Sequence, residues 1–184
     1  MIGEDFPAVL AAAQQGDEGA FTVLWRDGNP ALLRYLKVIA PESAEDVAAE
    51  TWVTVVRGLD RFRGGEGAWR AWLFTTARRR AIDMARRGAR RPQAPLEDLP
   101  LSRHPIAPDP ADVAMEHIST QAAIALVSRL PRLQAEVILL RVVAGMDTAS
   151  VAKLMGRSPG AVRVAAHRGL RQLAQILAAE GVTL

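Results

Sequence analysis

The chain contains no cysteine among its 184 residues. Disulfide frameworks, thiol nucleophiles and cysteine-based zinc sites are therefore excluded. Lysine is nearly missing as well: Lys37 and Lys153 are the only two, so almost all the positive charge is arginine. Aromatic residues make up 5% of the chain against 49% for all hydrophobic residues, and alanine and leucine carry most of the difference. Those two rank high in helix propensity, whereas strands favour aromatic and β-branched side chains, so an all-α fold is expected. No apolar run reaches the ~20 residues of a membrane helix, and no N-terminal stretch joins a basic region to a long apolar run as a secretory signal does. The expectation is a chain without membrane insertion and in the cytoplasm. The three histidines, His104, His117 and His167, are scattered. There is no dinucleotide fingerprint, no Walker loop and no His-Glu-x-x-His. Gly64-Gly65-Glu66-Gly67 lacks the strand and lysine of a phosphate loop, and reads as a turn. No catalytic residue, metal or cofactor is expected.

The formal charge is only +3. What matters is the placement of the arginines, which stay protonated and bind phosphate bidentately. Arg78, Arg79, Arg80, Arg86, Arg87, Arg90 and Arg91 form one dense block. Residues 92–113 hold six of the eleven prolines, with Glu97, Asp98, Asp109 and Asp112 against a single Arg103. This segment reads as an acidic, extended and flexible linker between two modules, residues 1–91 and 114–184.

Breaks and caps divide the modules into helices. Pro7 to Gln15 is alanine-rich and ends at Gly16. Asp17 caps a second helix carrying Phe21, Leu24 and Trp25, and Asn29-Pro30 opens a third with Leu32, Leu33, Leu36 and Ile39. Pro41 ends it. Ser43 starts a fourth helix, with Asp46 placed as the acid of a capping box and Val47, Thr51, Val55 and Leu59 at helical spacing. After the glycine loop a long helix is expected from Ala68 to Arg87. In the second module, Pro131 separates two helices, Gly145 closes the latter, and a short helix covers Thr148–Met155. The last runs from Ser158 to Ala179.

The segment Asp147–Arg163 predicts a helix-turn-helix. Val151 and Leu154 face a core, Ala152 is small where two helices approach, Gly156 makes the turn, and Ser158 caps a helix with Pro159 in its first turn. The last helix then separates Val162, Ala166, Gly169, Leu170 and Leu173 from a basic face of Arg163, Val164, His167, Arg168 and Arg171. Such a face suits the DNA major groove. Beside the arginine block stand Trp69 and Trp72; cations and rings together suit single-stranded nucleic acid. Trp72 is expected in the core, and Trp69, next to the glycine loop, is expected to contact a base.

These residues, in this order, resemble the extracytoplasmic-function (ECF) sigma factors, bacterial transcription initiation factors of the sigma-70 superfamily. Ser43–Val53 resembles the family's polymerase-binding helix, Phe62–Asp83 its promoter-melting and −10-reading segment, and Leu130–Arg141 with Gly156–Arg171 its −35-reading domain. The resemblance implies sigma domain two over 1–91 and sigma domain four over 114–184. It implies core RNA polymerase as partner, with Asp46, Glu50, Thr51 and Val53 on the β′ clamp and domain four on the β flap. It implies −10 contacts at Arg63, Gly64, Gly65, Glu66, Trp69, Arg78, Arg79, Arg80, Asp83, Arg86 and Arg87. The implied −35 contacts are Arg157, Ser158, Gly160, Ala161, Arg163, Val164, His167, Arg168 and Arg171. Promoter DNA is thus engaged both as duplex and as single strand, by a chain expected to be a monomer when free. Family members are often held inactive by an anti-sigma factor. Three positions depart from the pattern: Arg79 replaces a usual asparagine, Ala49 a common glutamine, and Ala165 a frequent arginine or polar residue. The alternative is a duplex-binding helix-turn-helix regulator independent of polymerase, which predicts a dimer and palindromic sites.

Overall fold

Helices built from the alanine- and leucine-rich segments make up all the regular structure of residues 1–90 and 121–179, the parts of the chain described by the computed structural model. The expected linker, with His104, and also His117, Arg91 and residues 180–184 lie outside the described residues. The first module contains α1 (Phe6–Gln14), α2 (Glu18–Ile39), α3 (Ala44–Gly58) and α4 (Glu66–Arg90). The second contains α5, described over 121–128, α6 (Arg132–Ile138), α7 (Thr148–Met155) and α8 (Pro159–Ala179). A π-helical turn, Leu139–Val143, extends α6.

Several boundaries follow from local chemistry. Asp17 caps α2, its carboxylate accepting from Ala20 N at 2.6 Å. Asp147 caps α7 by accepting from Ser150 N at 2.8 Å and Ser150 Oγ at 2.7 Å. Those bonds hold the Asp147 carboxyl below its ordinary range.

Two expectations are corrected. The helices expected on either side of Asn29-Pro30 are one, because α2 runs through Pro30. An interior proline removes one backbone bond and costs ~3 kcal/mol. The continuous buried stripe Leu24, Gly28, Ala31, Leu32, Tyr35 and Leu36 spans both sides of the proline and offsets that cost. Ser43 does not cap α3 through its side chain; a 3₁₀ turn, Pro41–Ser43, leads into the helix.

Tyr35, Phe74, Trp69, Phe6 and Leu32 are among the largest fully buried side chains. One apolar core joins these to Val137, Leu139, Leu140, Met146, Val151 and Val162 of the second module. α2 packs on α6 and its π turn, and α4 touches α7. Within the second module, Gly169 lets α8 approach α6: a Cβ there would lie 2.6 Å from Ile138 Cδ1 and 3.2 Å from Gln134 Cβ. Leu170, expected on the buried side, is 53% exposed because α8 turns its Ala165–Gly169 edge to the core instead.

Candidate nucleic-acid interface

The α7–α8 pair has the geometry of a helix-turn-helix. Gly156 ends α7 in the left-handed conformation (φ 63°), which glycine adopts without the steric cost of a Cβ. Ser158 then accepts from Ala161 N at 3.2 Å, capping α8. Val151, Ala152, Val162 and Ala165 are buried between the helices and the core. That burial turns Arg157, Ser158, Ala161, Arg163, Val164, His167, Arg168 and Arg171 outward, with Gly160 half-buried beside them. Ala165, one of the departures from the family pattern, faces the core.

On α4 the arginine block divides. Arg79, Asp83, Arg86 and Arg87 are exposed. Arg80 donates to Thr54 Oγ1 at 3.0 Å. Arg78 turns the other way and pairs with Glu136 at 2.7 Å. Burial disfavours the Arg78 charge, but the Glu136 carboxylate outweighs it, and the guanidinium binds its proton more tightly than usual.

The loop before α4 is tied down on both sides. Arg63 Nη1 donates to the carbonyls of Asp60 and Phe62 at 2.8 and 2.7 Å. Gly64 is exposed with φ 149°, and a Cβ there would sit 2.8 Å from Ala68 Cβ, so the turn requires glycine. Gly65 is exposed. Glu66, expected beside a −10 base, instead accepts from the backbone of Ile2 and Gly3 and from Arg70.

The two tryptophans differ from expectation in their burial. Trp69 is 1% exposed and lies among Phe6, Trp52, Phe62 and Trp72, so it cannot stack on a base. Trp72 is the half-buried one, stacked on Phe62 at 5.1 Å between centroids. Residues 69 and 73 lie one turn apart, and Leu73 is fully buried, so the same face of α4 carries Trp69 inward.

On α3, Asp46 and Val53 are exposed and Glu50 is half-buried. Thr51 is fully buried with its hydroxyl donating to Val47 O, so it is not available to a polymerase surface. Ala49, Glu50, Val53, Thr54, Arg57, Arg80 and Arg87 line one shallow hollow between α3 and α4. Arg57, four residues beyond Val53, was not singled out from the sequence, although its spacing continues the Asp46–Glu50–Val53 stripe. Tyr35 and Glu136 were also missed. The available signals were a tyrosine within the Leu32–Leu36 apolar stripe and an acid within the apolar run Ala135–Leu140.

Among the described residues no group of histidine, cysteine and acidic residues is placed to hold a metal, and no helix is long and apolar enough to cross a membrane.

Known proteins match both modules. Residues 25–91 match the sigma-70 region 2 family model and residues 120–173 the sigma-70 region 4 model. The ECF RNA polymerase sigma factor SigD of Mycobacterium tuberculosis is 33% identical, over 98% of this chain and 88% of that protein. ShbA, an ECF RNA polymerase sigma factor of Streptomyces griseus, is 33% identical, over 90% of this chain and 92% of its own. The structure of CnrH in complex with the cytosolic domain of CnrY shares the fold, with a TM-score of 0.62 and 24% identity, covering 96% of this chain and 99% of that one. The chain therefore belongs to the ECF RNA polymerase sigma factors, which are transcription initiation factors.

Proposed function

We propose that the outward face of α8 reads the −35 element as duplex and that α4 with its preceding loop engages the −10 element as single strand. The observation that carries the reading is the face of α8: Arg163, His167, Arg168 and Arg171 stand exposed behind a capped, glycine-turned helix start. Arginine at the start of a recognition helix reaches guanine edges or phosphates. For the −10 contact, Arg63, Gly64 and Gly65 in the loop and Arg79, Asp83, Arg86 and Arg87 on α4 offer backbone, cations and an acceptor on exposed surface. Trp69 is withdrawn from that set. Asp46, Glu50, Val53 and Arg57 form the polymerase-facing stripe of α3, without Thr51. Domain two then spans 1–91, the linker 92–113 and domain four 114–184. On this reading the chain initiates transcription with core RNA polymerase, catalyses no reaction itself, works in the cytoplasm, and is a monomer when free. The exposed Val53 and Val56 suit a protein partner, the polymerase clamp or an anti-sigma factor.

Run-off transcription with bacterial core RNA polymerase on a promoter library tests the whole reading. Protein-dependent initiation with enriched upstream sequences is expected; binding to duplex DNA without initiation would favour the polymerase-independent regulator. Arg163→Ala should lower discrimination at one −35 base pair by about 1–3 kcal/mol. Competition between specific and random duplexes measures it. Equal loss on both would leave Arg163 a phosphate contact only.

A further inference from the structure

Glu136 is a carboxylate buried in an apolar helix, 5% exposed between Ala135 and Val137. Its Oε1 accepts from Arg78 Nε at 2.7 Å and from Tyr35 Oη at 2.9 Å. Both partners belong to domain two, whereas Glu136 belongs to domain four. At the opposite side of the contact, Arg70 on α4 donates to the carbonyl of Ala144 at 3.1 Å. Val38 of α2 packs against the cluster of Leu130, Ala135 and Ile138.

We propose that Glu136 is the latch of a closed free state, in which domain four is clamped on domain two, and that this latch must break before both promoter elements are engaged. A buried carboxylate is tolerated only when paired and hydrogen-bonded, and both its partners here are supplied across the domain boundary. Separating the domains therefore breaks every bond to Glu136 that holds it in place, while returning the group to water, so the contact is strong when made and reversible as a unit.

The second half of the inference rests on the promoter reading. Elements centred twenty-five nucleotides apart are separated by about 85 Å on extended B-form duplex, at 3.4 Å per nucleotide. A compact chain of this length has a radius of gyration of only about 16 Å. Packed domains cannot span both elements. The closed state also takes Arg78 out of the cationic stripe of α4, while leaving the face of α8 exposed. On the promoter reading core polymerase holds the chain with both elements in reach and so takes the open form, and its apparent affinity is reduced in proportion to the fraction of chain that is open.

The absence of cysteine makes the test clean on the full chain. Asp60→Cys and Lys153→Cys place one exposed label in each domain. Energy transfer between the dyes should be high in the free protein. It should fall in Glu136→Gln, and fall less in Tyr35→Phe, which leaves the charge pair intact. Apparent affinity for core RNA polymerase should rise in Glu136→Gln by about tenfold, as the open fraction grows. Low transfer in the unsubstituted chain, or unchanged transfer and affinity in Glu136→Gln, would overturn the proposal. Far-UV circular dichroism separates opening from unfolding. If Glu136→Gln loses helix, Tyr35→Phe decides: reduced transfer with full helicity supports the latch, and unchanged transfer overturns it. Failure of every form to bind polymerase would reject the promoter reading instead, and the transfer measurement would still stand.

Discussion

Trp69 shows how the identity of a residue can be informative while its role is not. Its position beside the glycine loop suggested a base contact, yet the ring is closed in by Phe6, Trp52, Phe62 and Trp72. Trp69→Ala should therefore destabilise the fold by about 3–5 kcal/mol, as truncation of a buried aromatic does. Trp72→Ala, at a half-buried position, should cost less. Chemical denaturation of both variants measures the difference; equal stability of Trp69→Ala and the parent chain would put the ring back on the surface. The outward residues of α8 were legible because a helix period and a basic face declare themselves in the sequence. Thr51 and Glu66 were not: Thr51 turns its hydroxyl to the backbone of its own helix, and Glu66 takes its backbone partners from Ile2 and Gly3, 64 and 63 residues away, which nothing local declares. Glu136 is the extreme case: its partners lie 58 and 101 residues away.

At the scale of the helix, caps and turns were the most legible features. Asp17, Gly156 and Ser158 each act as their residue type predicts, and Asp147, which was not singled out, caps α7 in the same way, because a cap is satisfied within a turn of itself. Pro30 misled for the opposite reason. Its local signal is to begin a helix, but the buried stripe from Leu24 to Leu36 is a property of the core that α2 lies against. A testable consequence follows for α2. Pro30→Ala restores a backbone N–H and removes the ring's clash with the preceding turn, a gain of up to ~3 kcal/mol. It also frees the unfolded chain, an opposing effect of about 0.4–1 kcal/mol. The balance is stabilising, so thermal unfolding should shift upward. A lower midpoint would mean that Pro30 fixes a bend the core needs.

For the whole molecule, two modules separated by a proline-rich acidic segment could be read from composition, but their packing on each other could not. The shared core is built from pairs such as Tyr35–Glu136 whose complementarity exists only after both modules have folded. The same pair predicts a closed state that is sensitive to alkali. Burial, then the Glu136 charge and the hydrogen bond to it, raise the Tyr35 phenol well above its ordinary 10.0, while Arg78 and Arg132 pull the other way. A raised folded value means that the contribution of the pair to closure is fully present below about pH 10 and is lost as pH rises through the folded value. Deprotonation would set a phenolate against the Glu136 carboxylate, with the donor between them gone. Energy transfer between domain labels should thus stay level across neutral pH and fall in an alkaline step well above 10. Tyr35→Phe should lack that step, because it has no proton to lose. A step of the same size and position in Tyr35→Phe would assign the transition to other groups and remove Tyr35 from the control of closure.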